Sequence, residues 1–276
     1  MKNTVVFTGG LGNQLFQFVF MLYLKEITDN EVMYNLSSFL NRNVHSGFQA
    51  DQVFDFSEFK EDSRDYYTIP CRLAKKFSKK NSLFKKIVPF CSDQDFAEGL
   101  RKPVYEGFWQ KSIYYEMVKS NICKYTKEIS RFCKDTELMQ AISTQESVMV
   151  HVRRGDYVNN PVYCDLTETK YYENAINIIR ANIESPFFYV FSDNVPWCKK
   201  YFSDLEDCCF VEYYAQSALG DLVLMSKCKH AIIANSSYSW WGAALGQKGL
   251  TIYPSAYYRN QTVSDLYPSG WIKCEV

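Results

Sequence analysis

The most constraining feature of this sequence is a regular alternation of short apolar runs and longer helix-like runs after residue 146. The apolar runs are hydrophobic at most successive positions, as strands are when helices cover both faces of a parallel sheet. These strand-like runs are SVMVHV (147–152), FFYVF (187–191), CFVEY (209–213), HAIIA (230–234) and LTIYP (250–254). The helix-like runs between them cover 169–183, 195–203, 217–228 and 239–246. This order predicts an α/β domain built on a doubly wound parallel sheet.

Polar residues follow three of these predicted strands. Ligands of an open parallel sheet bind beyond the carboxyl ends of its strands, so residues there are candidates for a binding site. The three segments are Arg153-Arg154-Gly155-Asp156, Ser192-Asp193-Asn194 and Asn235-Ser236-Ser237. Because the carboxyl ends of parallel strands meet at one edge, we expect the three segments to form one binding rim.

The first of these segments carries two adjacent arginines. Alternation along a strand puts His151 and Arg153 on one face, and Arg154 emerges where the strand ends. Arginine forks bind phosphate oxygens bidentately, so the pair suits a diphosphate. A pair of surface salt bridges is the alternative. The triplet 154–156 also spells the Arg-Gly-Asp signal of cell-adhesion proteins, which would require an extracellular chain.

The segment ANSSYSWWGAALG (234–246) indicates a strand end followed by a helix start. Its serines Ser236, Ser237 and Ser239 can cap that helix, and the exposed N–H groups of the first turn favour an anion. An ordinary helix cap is the alternative. Of the two tryptophans that follow, we expect one in the core and the other, assigned to Trp240, at the binding cleft.

Asp221 lies near the start of the preceding helix. It precedes the serine turn by one helix and one strand, so both can reach the same pocket. A carboxylate there could accept hydrogen bonds from the N1–H and the N2 amine of guanine. A role as a helix N-cap is equally compatible with the spacing.

The chain opens with a β-turn-α unit. A glycine-rich turn (9–12) joins a strand-like run (5–8) to a helix (13–27) that is apolar nearly all round. The turn only partly matches the dinucleotide fingerprint G-x-G-x-x-G, because Leu15 occupies the third glycine position. Glu31 follows about twenty residues on, so a dinucleotide site stays open at this point.

Residues 35–145 show less periodicity. The stretch 72–90 carries seven basic residues and no acidic one, which is compatible either with contact to anionic lipid or with a solvated pair of surface helices. The stretch YEGFWQKSIYY (105–115) indicates an aromatic-lined loop or strand end, with core packing as the alternative. The regular alternation begins after residues 144–146, so we expect an N-terminal lobe over 1–145 and a C-terminal lobe over 146–276.

Composition excludes several classes of protein. The 276 residues have a formal net charge of zero, which argues against a nucleic-acid binder. Ten scattered cysteines without a C-x-x-C pair and only three histidines indicate reduced core thiols in a cytosol rather than disulfides or a metal cage. No signal peptide and no membrane-spanning run is visible. We therefore expect a cytoplasmic protein without a metal or other cofactor, in contact with the inner membrane face if 72–90 binds lipid.

Several stretches together resemble the bacterial α-1,2-fucosyltransferase family, which also includes enzymes making the blood-group H structure. They are GGLGNQLFQFVF (9–20), YEGFWQKSIYY (105–115), HVRRGDYV (151–158), FYVFSDN (188–194) and DLVLMSKCKHAIIANSSYSWWGAALG (221–246). The resemblance implies a GT-B-like α/β fold, in which two Rossmann-like lobes face each other across a cleft. It also implies metal-independent transfer of L-fucose from GDP-β-L-fucose to the 2-hydroxyl of a galactoside, with inversion.

The resemblance also assigns roles to single residues. Arg153 and Arg154 match a basic pair associated with the diphosphate, and His151 is expected beside the nucleotide. Asp221 and the turn Ser236-Ser237 match a guanine-reading carboxylate and a phosphate-binding turn of related α-1,6 enzymes. The expected donor-binding set is His151, Arg153, Arg154, Asp193, Asp221, Asn235, Ser236, Ser237 and Ser239. Departures from the family pattern are Asn194, where many relatives have Asp, and Ala244, where many have Trp.

The acceptor side and the general base are less well defined. The expected acceptor or cleft residues are Gly10, Gly12, Asn13, Gln14, Glu106, Trp109 and Trp240. Arg153 is expected to be catalytic through the leaving diphosphate. Asp156, His151 and Glu106 are candidates for the base, but Asp156 can equally orient an arginine. A free lactose-like sugar and a lipid-linked polysaccharide unit both remain possible acceptors.

Three other functions stay open on the sequence alone. The first is a fucosyltransferase of another linkage. The second is a dinucleotide-dependent oxidoreductase built on the first glycine turn. The third is a non-catalytic sugar-nucleotide or adhesion protein that uses the Arg-Gly-Asp triplet.

Overall fold

The structure, a computed structural model, describes residues 1–40, 47–78, 82–212, 217–246, 249–259 and 265–276. The chain divides into two units, Met1–Lys127 and Glu128–Val276. The second unit thus starts before the lobe boundary predicted at 145/146. The reason is that the change of pattern at residue 146 marks the first strand of the second sheet. Helix Thr136–Thr144, which precedes that strand, already packs with the second unit.

The first unit contains a parallel sheet with helices. In chain order its elements are β1 Lys2–Val6, α1 Leu11–Ile27, β2 Glu31–Asn35, α2 Ala50–Val53, β3 Lys60–Glu61, α3 Ile69–Ser78, α4 Ser82–Ile87, β4 Phe90–Cys91, α5 Asp93–Ala97, β5 Val104–Glu106 and α6 Ser112–Ile122. Among the described residues, five strands pair in the order β3-β2-β1-β5-β4, and every pairing is parallel. The sheet order therefore reverses between β1 and β5.

Helix α1 is buried along most of its length, as its nearly continuous apolar sequence predicts. Its aromatic side chains pack face to face with rings from other elements: Phe18 stacks on Phe54 at 4.5 Å and Phe20 stacks on Trp109 at 3.7 Å between ring centroids. Burying rings of this size contributes most of the apolar stabilisation of such a core.

The second unit contains a larger parallel sheet. Its elements in chain order are a 3₁₀ turn Ser130–Phe132, α7 Thr136–Thr144, β6 Ser147–Val152, a 3₁₀ turn Leu166–Glu168, α8 Tyr171–Asn182, β7 Phe187–Ser192, α9 Val195–Tyr201, β8 Cys208–Phe210, α10 Ala218–Lys227, β9 His230–Ile232, α11 Ser237–Ala244, β10 Thr251–Pro254 and β11 Ile272–Cys274. The described strands pair in the order β11-β10-β9-β6-β7-β8, all parallel. Counted from β6, this is the order 3-2-1-4-5-6 of a doubly wound Rossmann sheet.

The predicted fold class is thus confirmed as α/β with two parallel sheets, the second one doubly wound. Strand β6 is buried at every position, which explains why its sequence lacks an alternating polar face. Val148, Val150 and Val152 enter one apolar cluster together with Ile179 of α8, as the alternation predicted. Residue 213, predicted as the end of the third strand, lies outside the described residues.

All ten cysteines are free thiols. Cys91, Cys133, Cys198, Cys228 and Cys274 are buried, and Cys123 alone of the ten is exposed. The prediction of core thiols therefore fails at Cys123, which lies at the C-cap of α6.

Candidate active site

The second sheet reverses its order between β6 and β9, and ligands of doubly wound sheets bind beyond the carboxyl ends of the strands at this switch point. The residues that follow β6 and β9 are Arg153-Arg154 and Asn235-Ser236-Ser237. Asp193 follows the adjacent strand β7, which pairs with β6. The predicted binding rim is therefore present as a structural feature of the second unit.

Arg153 is held between two carboxylates. Its guanidinium lies 2.7 Å from the Asp156 carboxylate and 2.8 Å from that of Asp193. Asp156 also accepts a hydrogen bond from the Arg153 Nε at 3.0 Å. Ion pairs this exposed contribute little to stability, but they fix the direction of the arginine side chain. Of the two roles left open for Asp156, the geometry favours orienting the arginine.

Asp193 also fixes the backbone that carries the arginines. Its carboxylate accepts hydrogen bonds from the N–H groups of Arg154 at 2.9 Å and of Gly155 at 3.0 Å. A Cβ atom on Gly155 would lie 2.7 Å from Asp193 Oδ2. Glycine is thus required here because the carboxylate approaches the backbone closely.

The Arg154 side chain is positioned by residues other than the two carboxylates that hold Arg153. Its guanidinium lies 3.7 Å from the ring centroid of Trp197, and Nη1 donates to Thr167 Oγ1 at 2.8 Å. The Thr167 hydroxyl in turn donates to Asp165 at 2.6 Å. The sequence analysis did not identify Trp197, Thr167 or Asp165. The signal visible in the sequence was Trp197 itself, a tryptophan in the first turn of the helix that follows Ser192-Asp193-Asn194. The arginine is therefore stacked in place before any ligand binds.

His151 is buried at the end of β6. Burial lowers the pKa of its imidazole to about 4, with the charge of Asp193 opposing this shift and that of Arg153 adding to it. The ring is therefore neutral near pH 7. Its centroid lies 5.8 Å from the ring of Tyr238 in α11.

Asp221 lies inside α10, whose N-cap is Ser217, so the alternative that Asp221 caps this helix is wrong. Its side chain is buried, and burial raises the pKa of the carboxyl to about 7. Burial and, second, the charge of Asp221 raise the pKa of Tyr238, whose hydroxyl donates to the carbonyl of Ala218. Tyr238 thus lies beside His151 and within electrostatic range of Asp221.

Three of these residues carry a buried polar atom that has no hydrogen-bond partner among the described residues. The atoms are His151 Nδ1, Arg154 Nε and Asp221 Oδ1. An unsatisfied buried polar atom costs about 1–3 kcal/mol, and native proteins carry few of them. Three such atoms around one switch point indicate a site whose hydrogen bonds are completed by a ligand.

The serines at the start of α11 fall into two groups: two are candidates for anion binding, and one has a structural role. Ser236 is the N-cap of α11, but its side chain makes no capping hydrogen bond within the described chain. Ser236 and Ser237 are half-buried at a helix N-terminus, where N–H groups and the helix dipole favour an anion. Ser239 is fully buried and accepts from the N–H of Ala234 at 2.9 Å, so its hydroxyl serves the turn itself.

Asn235 has a structural role instead of the predicted donor contact. Its side-chain amide donates to the carbonyls of Cys164 at 2.9 Å and Tyr257 at 2.8 Å, so both of its N–H groups brace neighbouring loops. The expectation for Trp240 also needs correction. Trp240 and Trp241 are both buried, and Trp240 Nε1 donates to the carbonyl of Leu266 at 3.1 Å.

The glycine turn of the first unit lies at the corresponding switch point, between β1 and β5. Gly9 has a left-handed φ of 78°, and Gly10 is the N-cap of α1. Gly12 lies inside that helix and is buried. The Asn13 side chain accepts a hydrogen bond from Gln110 Nε2 at 2.7 Å, which joins the turn to the segment that follows β5.

Gln14 lies in the core, contrary to its predicted acceptor role. Its amide donates to the carbonyls of Gly9 and Gly47, both at 2.9 Å. Its carbonyl oxygen accepts from the N–H groups of Gln49 at 2.8 Å and Ala50 at 3.1 Å. The side chain is fully buried and thus holds two backbone segments together.

Trp109 is also a core residue, because its ring is fully buried against Phe20. Its backbone adopts a φ of 57°, which is strained for a bulky side chain. Asp93 stabilises this conformation by accepting from the N–H groups of Phe108 and Trp109, both at 3.0 Å. The result is that Phe108, not Trp109, is the exposed aromatic residue of this segment.

Two acidic residues of the first unit do not fit the functions considered for them. Glu106 forms an ion pair with Lys75 at 2.6 Å and accepts from the Tyr67 hydroxyl at 2.9 Å, which weakens it as a base. Glu31 starts β2 and pairs with Lys60 at 2.9 Å. A ribose-binding acid would follow the carboxyl end of that strand, so the dinucleotide fingerprint is absent.

Two features are absent from the described residues, which are 1–40, 47–78, 82–212, 217–246, 249–259 and 265–276. No group of three or more His, Cys, Asp or Glu side chains there is arranged to hold a metal ion. No helix in those ranges is long and apolar enough to cross a membrane.

A doubly wound sheet with basic side chains and a helix N-terminus at its switch point is an arrangement suited to an anionic ligand. The model of glycosyl transferase family 11 matches residues 2–275. The chain therefore belongs to glycosyl transferase family 11 and is a glycosyltransferase, which confirms the resemblance to α-1,2-fucosyltransferases noted in the sequence.

Curated relatives agree with this family. The chain is 32% identical to an alpha-1,2-colitosyltransferase of Escherichia coli, over 97% of both chains. It is 27% identical to the O-antigen biosynthesis glycosyltransferase WbnK of Escherichia coli, over 96% of this chain and 98% of that protein. It is 35% identical to a galactoside 2-alpha-L-fucosyltransferase of Bos taurus, but only over 38% of this chain and 30% of the relative.

Solved structures share the fold at low sequence identity. The α-1,6-fucosyltransferase NodZ, co-crystallised with GDP, has a TM-score of 0.52 and 13% identity, over 89% of this chain and 93% of that chain. NodZ from Bradyrhizobium in another crystal structure has a TM-score of 0.51. A mutant of Arabidopsis thaliana FUT1 in complex with GDP has a TM-score of 0.50 and 12% identity, over 96% of this chain and 73% of that chain.

Proposed function

We propose that this glycosyltransferase moves L-fucose from GDP-β-L-fucose to the 2-hydroxyl of a terminal galactoside, forming an α-1,2 linkage with inversion. The names of its relatives support the linkage: one is an alpha-1,2-colitosyltransferase and another a galactoside 2-alpha-L-fucosyltransferase. Structural neighbours solved with GDP and with GDP-fucose support the donor. The O-antigen relative supports a product in surface polysaccharide synthesis.

The observation that carries the donor assignment is the set of unsatisfied atoms at the switch point of the second sheet. Guanine offers two adjacent donors, N1–H and the N2 amine, to the buried carboxylate of Asp221. The diphosphate is bound by Arg153 and Arg154 and by the N-terminus of α11 at Ser236 and Ser237. A neutral His151 lies beside the nucleotide, where its free Nδ1 can hydrogen-bond the ligand.

The chemistry follows from this placement of charge. The acceptor 2-oxygen forms a bond to C1 of fucose as the bond from C1 to the phosphate oxygen breaks. GDP leaves with that electron pair, and the proton of the acceptor hydroxyl passes to solvent water. Negative charge grows on the diphosphate in the transition state, so arginines aimed at it stabilise this state more than the ground state. We propose that Arg153 and Arg154 supply this charge without a metal ion, and chelation by EDTA should leave the rate unchanged.

Arg153→Ala tests the assignment directly. Removing one charge contact to the leaving group should cost on the order of 3 kcal/mol, or 10²-fold or more in turnover. Arg180→Ala is the matched control, because Arg180 lies on the exposed side of α8 in the same unit. Near-normal turnover by the Arg153 variant, measured as GDP release with a galactoside, would contradict the proposal.

Among the candidates for the general base, none is free. Asp156 is paired with Arg153 at 2.7 Å, and burial lowers the pKa of His151 to about 4, which makes the ring a weak base. We therefore propose that Asp156 orients Arg153. A loose transition state with oxocarbenium character reduces the need for a strong base. Asp156→Asn should then lose much less turnover than Arg153→Ala; an equal loss with retained GDP affinity would instead identify Asp156 as the base.

A second donor deserves a direct test because a relative over 97% of this chain is a colitosyltransferase. Colitose differs from fucose in lacking the 3-hydroxyl group. A site built to hydrogen-bond that hydroxyl rejects the deoxy sugar, whereas an apolar site accepts both. Turnover with GDP-fucose and GDP-colitose, followed by linkage analysis of the product on a panel of galactosides, decides between the two donors and establishes the linkage.

For the acceptor, we propose contact with the switch point of the first unit. Asn13 and the exposed ring of Phe108 are the available side chains there, since Gln14 and Trp109 are buried. An aromatic ring gives a sugar an apolar surface on which to stack. Phe108→Ala should raise the KM for the galactoside and leave the KM for the donor unchanged. A change in the donor KM alone would exclude this role.

A further inference from the structure

Helix α3 (Ile69–Ser78) covers one side of the first sheet without burying any of its own residues. Its inner side meets an apolar cluster that includes Val88, Phe90 and Val104, against which Cys71 and Ala74 pack. Lys75 also lies on this inner side, paired with Glu106. The contacts named for α3 with the rest of the unit thus lie on its inner side.

The outer side carries a row of large apolar side chains at four-residue spacing, which places them on one helix face. We call Ile69 and Leu73 the apolar stripe. Their exposed fractions are 73% and 49%. Ile87, at the end of α4, is 77% exposed. A helix on the surface of a protein normally turns such residues inward, so this arrangement calls for a partner.

Basic residues accompany the stripe. Arg72 and Lys76 are exposed, also four residues apart, and lie next to it on the same helix. No acidic residue occurs between Asp65 and Asp93, although the chain as a whole has a net charge of zero. Lys79 and Lys80 lie outside the described residues and are not needed for the argument. A helix with an apolar face and a cationic flank matches the boundary between anionic headgroups and acyl chains.

Helix α6 of the same unit carries a second exposed apolar pair, which can be compared with that of α3. Ile113 and Met117 on α6 are also exposed and four residues apart, but Glu116 lies beside them. Helix α6 packs on the other side of the sheet, because Tyr114 contacts Phe20 of α1. Phe20 in turn contacts Tyr105, whose neighbour Val104 faces α3. The exposed pair on α6 thus has an acidic neighbour, Glu116, whereas the exposed residues on α3 are flanked by Arg72 and Lys76.

We propose that the outer side of α3 docks this protein peripherally on an anionic lipid surface. The apolar stripe enters the headgroup region, while Arg72 and Lys76 contact the lipid phosphates. Docking needs neither the donor nor the acceptor sugar, so it is independent of the proposed reaction.

Vesicle flotation tests the docking surface with the full-length protein. The probes are vesicles of phosphatidylcholine alone and vesicles containing about one third phosphatidylglycerol, at about 0.1 M salt, where surface charge is screened beyond roughly 10 Å. We expect binding to the anionic vesicles and little binding to the neutral ones. Arg72→Gln with Lys76→Gln should weaken binding about 25-fold, since each cation near such a surface contributes about fivefold.

The apolar part is tested by Ile69→Ser with Leu73→Ser, which should weaken binding about tenfold or more. The matched control, Ile113→Ser with Met117→Ser, should bind like the unmodified protein. Thermal unfolding of all variants checks that the fold is intact. The proposal is overturned if the unmodified protein ignores anionic vesicles, if it binds neutral ones equally well, or if the α6 control loses as much binding as the α3 variants.

Discussion

Asp221→Asn is the most informative single substitution, because the structure fixes both the sign and the size of its effect on stability. Burial raises the pKa of the Asp221 carboxyl from 3.8 to about 7. Between pH 3.8 and about pH 7 the Asp221 carboxyl is protonated in the folded protein and ionised in the unfolded chain. The folded state therefore binds more protons, and the Asp221 contribution to stability falls as the pH rises from about 4 to 7.

The size follows from the shift. About three pKa units at 1.36 kcal/mol each amount to roughly 4 kcal/mol of destabilisation at pH 8, as an upper limit. Asparagine cannot ionise, so Asp221→Asn removes the pH-dependent destabilisation and adds only a cost for the buried amide that does not change with pH. Between pH 5 and pH 8 the stability of the variant relative to the unmodified protein should rise by about 3 kcal/mol.

The measurement must compare the two proteins, because His151 acts in the same pH window with the opposite sign. Burial lowers the pKa of His151 to about 4, so the unfolded chain binds its proton first as the pH falls, and this contribution to stability rises with pH. In the unmodified protein, the pH dependence of stability from Asp221 and that from His151 therefore oppose each other and nearly cancel. Urea unfolding of both proteins at pH 5 and pH 8 isolates Asp221, and a constant difference between them would refute the reasoning.

Ligand binding supplies the second half of this test. If Asp221 accepts from N1–H and N2 of guanine, its ionised form binds GDP, and GDP affinity should rise about tenfold per pH unit up to about pH 7. Asp221→Asn should lose this dependence and bind GDP about 100-fold more weakly at pH 8. Inosine diphosphate lacks the N2 amine, so only the unmodified protein should prefer GDP over it. Calorimetric titration that shows the same preference in the variant would exclude guanine recognition by this residue.

Three further substitutions test the close contacts of the two switch points. Gly155→Ala puts a Cβ 2.7 Å from Asp193 Oδ2 and should weaken GDP binding about tenfold or more, with a smaller loss of stability; calorimetry and thermal unfolding separate the two effects. Gly107→Ala brings a Cβ to 2.4 Å from Asp93 Oδ2 and should lower the free energy of unfolding by about 2 kcal/mol, measured in urea. Gln14→Leu removes four hydrogen bonds of a buried side chain and should cost about 3 kcal/mol or more in the same assay; an unchanged midpoint would show that the backbone finds other partners.

The second sheet could be predicted from the sequence because parallel strands buried on both faces appear as continuous apolar runs. Strand β6 has the predicted bounds, and the helix predicted over 169–183 is observed as Tyr171–Asn182. Strand β11 was missed, since IKC is three residues long and one of the three, Lys273, is exposed. In the first unit β3 and β4 have two residues each, which is too short to show any period.

In the candidate site, residues at the edge of the sheet could be predicted from the sequence, whereas the burial of side chains in the interior could not. The sequence located the arginines and Asp193, because the carboxyl end of a strand follows from chain order alone, whereas Asp221 was placed by its position near a helix start and by the family resemblance. It could not tell which polar or aromatic side chain turns inward. Trp109 and Gln14 look like ligand contacts in the sequence, yet both are buried. Their burial depends on partners far along the chain, such as Gly47 for Gln14 and Asp93 for the turn at Trp109.

The two carboxylates that hold Arg153 are not equivalent, and the difference indicates how a diphosphate enters. Asp193 is anchored by two backbone N–H groups in addition to the arginine, so moving it would break the loop that carries Arg154. The Asp156 carboxylate is more exposed and contacts the arginine by side chain alone. If Arg153 binds the diphosphate as proposed, the phosphate displaces Asp156 and leaves Asp193 in place. On this view Asp156 holds the guanidinium in position while the site is empty, and Arg154, stacked on Trp197, needs no such placeholder.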